Sequence, residues 1–261
     1  MDMDLLVTGV RLATPLAFAG TVVAVATGNP YLAVLGAAGG GALLGLVHAL
    51  AGVVLRGDQI VSGIALNLLV LGATQFLMEI LYGSSANSPA VAGMPELPGL
   101  GLPPLVVLAL VAVPAVHVVL EHTRFGLRLR AAGEYPEAAE SEGIAVVPVR
   151  IAAVTLAGAL AGIGGAYLAL EASQFVKNMA AGRGYLALAA VIFGKWKPVP
   201  AAAACLFFGV TEALQIRLQG RGLPTQFVQM IPYLLTMVAL AGLVGRSRPP
   251  SALGVPLARD R

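Results

Sequence analysis

A succession of apolar runs, most of them long enough to cross a lipid bilayer, constrains this chain more than any other feature. A spanning helix needs about 20 mostly apolar residues to traverse about 30 Å of hydrocarbon. Runs of that kind occupy Leu5–Ala26, Tyr31–Leu55, Gln59–Tyr82, Pro104–Leu120, Ile151–Leu170, Val199–Ile216 and Phe227–Val244. Leu186–Gly194 is equally apolar but too short to cross alone. Charged residues make up only 11% of the 261, against about 25% in a soluble domain. So few charges cannot cover a soluble surface of this size. The expected fold is an all-α polytopic membrane protein with about 7–8 transmembrane helices, one of them broken or re-entrant.

The positions of Arg and Lys predict how these helices are threaded. Arg124, Arg128, Arg130 and Arg150 place a central loop, residues 121–150, in the cytoplasm, and Arg246, Arg248, Arg259 and Arg261 do the same for a tail over 246–261. The segment Gly83–Leu102 carries no Lys or Arg and is expected outside. An even number of crossings must then separate the loop from the tail. Three runs are evident there, so a fourth crossing falls between Glu171 and Trp196, entered through Gly182-Arg183-Gly184 and closed by Lys195-Trp196-Lys197-Pro198. The N-terminal Met-Asp-Met-Asp is acidic where a signal peptide is basic, so the first run reads as a retained helix. A net charge of +3 invites a nucleic-acid reading, but the basic residues sit at loop edges and form no stripe; no nucleic acid is expected.

Several chemistries have no footing in the sequence. Cys205 is the single cysteine, and the three histidines lack Cys or carboxylate partners at ligand spacing, so no metal is expected. Glycines at 36, 39, 40, 41 and 45, and again at 158, 162, 164 and 165, have the small-xxx-small spacing that brings membrane helices together. They are not a phosphate cradle: no strand precedes them and no G-x-x-x-x-G-K-[ST] occurs. The chain therefore cannot hydrolyse ATP by itself, and no cofactor is expected on it.

Inside the central loop, Tyr135-Pro136-Glu137-Ala138-Ala139-Glu140-Ser141-Glu142-Gly143 has the marks of a short surface helix. Pro136 suits the first helical position, Glu137 puts negative charge at the positive end of the dipole, and Gly143 can take the left-handed residue that ends the helix. This pattern resembles the coupling helix of ABC importer permeases. Three other stretches resemble the permeases of nucleoside and simple-sugar ABC importers, a binding-protein-dependent family of the ribose and branched-chain amino-acid type. They are Asp58–Leu69, Gly158–Ala166 and Gly182–Ala189. Their order and spacing match from about residue 58 to the final helix.

The resemblance implies one transmembrane permease domain over residues 1–261, in a multi-pass cell-membrane protein with a cytoplasmic C-terminus. It also implies partners: an ABC ATPase subunit that uses the ATP, a second permease subunit, an extracytoplasmic substrate-binding protein and the lipid bilayer. Glu137, Ala138, Ala139 and Gly143, with Arg128 and Arg130 beside them, match the ATPase-coupling loop. One departure lies near the start. Family members carry a further Gly-, Asn- and Glu-rich stretch and an apolar helix after Thr-Pro-Leu, whereas Thr14-Pro15-Leu16 here runs within a few residues into Gly28-Asn29-Pro30. About one helix is expected to be missing.

Polar residues inside an apolar run are costly and mark candidate pathways. Asn67, Thr74 and Gln75, with Leu71 and Met78, recur at helical steps and share one face. Their amides and hydroxyl suit the hydroxyls of a sugar or nucleoside, which makes Asn67, Thr74 and Gln75 the candidate substrate path. Hydrogen bonding to neighbouring helices is the other role open to them. Two further functions stay open at this point: an ion-gradient-driven transporter, for which His48 is the one mid-span titratable group, and a truncated permease remnant.

Overall fold

The computed structural model of the chain describes residues 13–180, 183–219, 230 and 247–254. The described helices are α1 (Ala13–Thr27), α2 (Pro30–Ala49), α3 (Gln59–Tyr82), α4 (Pro104–His122), α5 (Arg124–Glu134), α6 (Pro136–Ser141), α7 (Val146–Glu171), α8 (Arg183–Phe193) and α9 (Pro198–Leu218). A π-helical turn, Leu50–Val54, prolongs α2. Five of these stretches are long and apolar enough to cross a membrane: Pro30–Val54, α3, α4, α7 and α9. The protein is an all-helical, multi-pass membrane protein. Of the first predicted span, only Ala13 onward is described; Phe227–Val244 lies outside the described residues except for Met230.

Local chemistry fixes the helix ends. Asn29 accepts hydrogen bonds from the Tyr31 and Leu32 amides (2.9 and 3.4 Å), with Pro30 in the first turn of α2. Asp58 does the same for Ile60 and Val61 at the start of α3 (2.8 and 3.0 Å), and left-handed Gly83 (φ +66) ends that helix. A two-residue turn through Gly28 joins α1 to α2. Two boundaries differ from expectation. The helix α7 begins at Val146 rather than Ile151, so Arg150 is helical and buried rather than part of a loop. The helix α8 starts at Arg183 and has 11 residues; at about 1.5 Å per residue it is about half the length a bilayer requires.

The most extensive packing joins α1, α2 and α7. Its centre is a seam of small residues. Gly41 and Gly158 each face the other's carbonyl oxygen, and Gly162 faces the carbonyl of Ala37, at separations that leave no room for a Cβ. At Gly45 a Cβ would lie 2.8 Å from the Val154 oxygen. Gly39 and Gly164 face open space, so only part of the glycine pattern forms the seam. Such close approach is how helices associate in lipid, where no hydrophobic force separates helix from solvent.

Elsewhere the helices show one inward and one outward face. On α3, Gly63, Leu66, Thr74 and Met78 are buried, whereas Leu68, Leu69, Phe76, Ile80 and Leu81 are exposed as a lipid-facing helix requires. The helices α4 and α9 bury only 6% and 11% of their most apolar windows within the chain, so lipid or another subunit must cover them.

Candidate functional site

The polar loop between α4 and α7 is more ordered than its charge pattern suggests. Where the sequence reads as a basic segment, the chain forms the helix α5. Its N-cap is Thr123, whose hydroxyl oxygen accepts from the Gly126 amide at 3.2 Å. Gly126 lies hard against the carbonyls of Val119 and Leu120, so α5 leaves α4 through a corner that only glycine fits. Leu129 and Ala132 are buried and Phe125 is half-buried, while Arg124, Leu127, Arg128 and Arg130 face out. Arg130 donates to the Glu121 carboxylate at 2.8 Å. This pair is exposed, and such pairs stabilise little. Arg128 has no ion-pair partner among the described residues.

The helix α6 follows after one residue, Tyr135, with Pro136 in its first turn. Its C-terminus is a Schellman motif. The Gly143 amide donates to the Glu140 carbonyl (2.9 Å) and the Ile144 amide to the Ala139 carbonyl (2.9 Å), with Gly143 left-handed at φ +80. Ala139 is buried against Ala132 and Val146, and Ile144 packs at the same place. The inner face of α6 is therefore one small residue wide. Its outer face presents Glu137, Ala138, Glu140, Ser141 and Glu142 to solvent.

Three residues outside the predicted coupling set, Arg150, Tyr135 and Leu127, also shape the loop. Arg150 is buried and donates from Nη2 to the Ala132 carbonyl at 3.1 Å, near the C-terminus of α5. A cation there also meets the negative end of the helix dipole. The signal that points to it is an arginine at the start of an apolar run. Tyr135 is 65% exposed and Leu127 62% exposed, large apolar groups beside the acidic turn. Exposed aromatics of this kind are what protein interfaces use as anchors. As an assembly, the loop presents a short acidic helix, two large exposed side chains and a row of arginines.

The other candidate residues lie on α3. Thr74 and Gln75, with Leu71 and Met78, line a crevice closed from the other side by Ser85, Phe175, Lys177 and Asn178. The Thr74 hydroxyl donates to the Val70 carbonyl at 2.6 Å, leaving only its oxygen to accept. Asn67 is half-buried on the same side of α3 but does not reach the crevice. Two connecting segments form the lid. Lys177 donates its amide to Ala86, Ser88 to Phe175 and Val91 to Ser173, at 2.8–3.0 Å, around the Asn87–Val176 bridge. The Phe175 amide donates to the Ser88 hydroxyl at 2.9 Å. Phe175 is buried edge-on against Phe18, with ring centres 5.7 Å apart. The crevice holds about 10 Å³, room for roughly one water.

Glu212 pairs with Arg183 across α8 and α9 at 3.5 Å. The Nδ1 of His48 lies 3.1 Å from the Ser62 hydroxyl.

Comparison with known proteins identifies the family. A family model described as the permease component of branched-chain amino acid transport systems matches residues 7–240. The guanosine ABC transporter permease protein NupQ of Bacillus subtilis is 38% identical over 251 residues, covering 89% of this chain and 79% of NupQ. The nucleoside ABC transporter permease protein NupC of Lactococcus lactis is 38% identical over 252 residues, covering 87% and 77%. A putative glucose ABC transporter permease protein, TsgC13 of Haloferax volcanii, is 33% identical over 280 residues, covering 91% and 84%. No solved structure matches the chain. On the extent of these matches, the chain belongs to the branched-chain amino-acid-type family of ABC transporter permeases.

Proposed function

We propose that this chain is the membrane-spanning subunit of an ATP-driven importer for nucleosides, docked on a separate ATPase through residues 121–150. The observation that carries the substrate class is the 38% identity to two permeases named for guanosine and nucleosides, over most of their length and of this chain. In this reading the loop and the C-terminal tail face the cytoplasm. The outward face of α6 is the contact: Glu137 and Ala138 meet the ATPase, Ala139 and Gly143 hold the helix on its base, and Arg128 and Arg130 lie at its flank. An ATP-driven change at that contact can move α4 and α7 together, because α5 is cornered onto α4 and α6 leads directly into α7. Transport then requires an equilibrium between inward- and outward-open states that ATP biases. A second permease subunit and an extracytoplasmic binding protein complete the assembly. The exposed sides of α4 and α9 are where lipid and the second subunit would lie.

The substrate path follows the inward face of α3, where Thr74 and Gln75 supply hydrogen-bonding groups beneath the closed lid and Asn67 lies further along. Family membership favours this importer over a gradient-driven transporter or a non-transporting remnant. The test is uptake of labelled guanosine into cells expressing the complete set of subunits. Uptake should stop on ATP depletion and persist with a proton ionophore. Uptake that follows the ionophore and ignores ATP would reject the reading.

A further inference from the structure

The described part of the C-terminal tail touches the loop at one place, immediately before the proposed docking helix. The Ala252 amide donates to the Gly133 carbonyl at 3.1 Å, and the Ser251 amide donates to the Glu134 carboxylate at 2.8 Å. Ala252 is 5% exposed, and a turn closed by Leu253 on Pro250 presents both amides together. Gly133 and Glu134 are the last residues of α5, and Tyr135 alone separates them from α6. The Gly133 acceptor is one of the last carbonyls of α5, which lack intrahelical partners, and the Glu134 acceptor is the side-chain carboxylate next to it. From the opposite side Arg150 donates to Ala132, one residue earlier. The α5–α6 corner is thus clamped between an arginine of α7 and the backbone of the tail, 117 residues away from Glu134.

We propose that residues 250–253 are a positioning splint for the coupling loop, fixing the angle between α5 and α6 so that a change at α6 is passed to the membrane helices rather than absorbed at Tyr135. This rests on the docking role assigned above to residues 121–150. Tyr135, at φ −147 and ψ 82, is neither α-helical nor capped by a side chain, and locally the corner is held by its two backbone hydrogen bonds, to Ala131 and from Ala139 (3.0 Å each), and by the contact of Ala139 with Ala132. Two backbone donors from a distant segment add a restraint from outside the corner. The prediction is specific to coupling: an unsplinted corner still binds the ATPase but passes on less of each hydrolytic cycle.

The test uses the complete importer reconstituted in vesicles, reading guanosine uptake and ATP hydrolysis side by side. Ser251→Pro and Ala252→Pro each remove one of the two amide donors. Each should lower uptake per ATP by several-fold, and both together by about tenfold, the scale expected for one or two lost hydrogen bonds. The ATPase should still co-purify. Ser251→Ala keeps the amide and removes only the hydroxyl, which also meets the Glu134 carboxylate, so it should lose less coupling than Ser251→Pro. Glu134→Gln keeps an acceptor and should retain most of the coupling that Glu134→Ala loses. An unchanged uptake-to-ATP ratio in the double proline variant would overturn the splint. Loss of ATPase co-purification in that variant would also overturn it, since the tail would then be part of the binding surface. Glu137→Lys separates the two proposals. If it leaves both ATPase recovery and uptake unchanged, the docking role itself fails, whatever the tail variants do.

Discussion

The α2–α7 seam and the α4–α7 loop are both built around glycine and alanine, yet they are held together by opposite means. In the seam Gly41, Gly45, Gly158 and Gly162 bring two backbones into direct contact. In the loop, small residues such as Ala132 and Ala139 only make room, while caps, a buried arginine and the tail fix the geometry. The difference follows from the solvent. Within hydrocarbon every backbone group is already satisfied inside its own helix, so association depends on close van der Waals contact. Outside it, water competes for each hydrogen bond, and short helices of 11 and 6 residues cannot stand without specific end contacts. A seam of that kind is rigid; a loop of that kind can be moved by a partner.

The comparison is broken most severely at Gly158. Gly158→Leu should cost at least about 3 kcal/mol and prevent recovery of monodisperse protein from detergent, because nothing at Gly41 can give way. Gly164→Ala, facing open space on the same helix, should change thermal stability by no more than about 1 kcal/mol. Equal damage from the two would mean that Gly158 does not lie in the α2–α7 seam. In the loop, Arg150→Leu leaves the buried Ala132 carbonyl without its donor and should cost about 1–3 kcal/mol, seen as a lower melting temperature of the purified protein.

Gly143→Ala sharpens the contrast further. The left-handed backbone at φ +80 penalises a Cβ by about 1–2 kcal/mol although nothing lies within 4 Å to clash with it. That cost should appear as weaker ATPase association, with little loss of the folded membrane core. The smallest effect concerns pH. The amide of Ser251 holds the Glu134 carboxyl below the ordinary carboxylate range. A group lowered on docking contributes above that range and loses its contribution as pH falls through it. Tail contact should therefore be constant near neutrality and weaken only in acid, measurable as altered protection of the Ser251 amide in hydrogen exchange.

The parts legible in sequence are those written locally. Asn29-Pro30, Asp58 and Pro136 through Gly143 announce helix ends within a few residues, and these ends are found where expected. The helix α5 is also written locally, in the capping Thr123 and in Phe125, Leu129 and Ala132 on one face, but three arginines among those residues mask its apolar period. Arg150 was partly legible, as a charge at the edge of an apolar run. The contacts of Ser251 and Ala252, and the pairing of Glu212 with Arg183, were not, because they join residues whose proximity only the packed fold creates. The same is true of the lid over Thr74 and Gln75, which depends on two connecting segments far apart in the chain.

The most direct test of the central claim is a pull-down from mild detergent with a tag on this chain, alongside its Glu137→Lys variant. The account predicts that an ATPase carrying a phosphate-binding Gly-x-x-x-x-Gly-Lys-Ser/Thr motif is recovered with the parent protein. The variant should reach the membrane at normal levels and lose that ATPase, since a lysine would reverse the charge of an exposed residue without disturbing the buried face of α6. Recovery of the parent chain without any ATPase, or equal recovery with the variant, would contradict it.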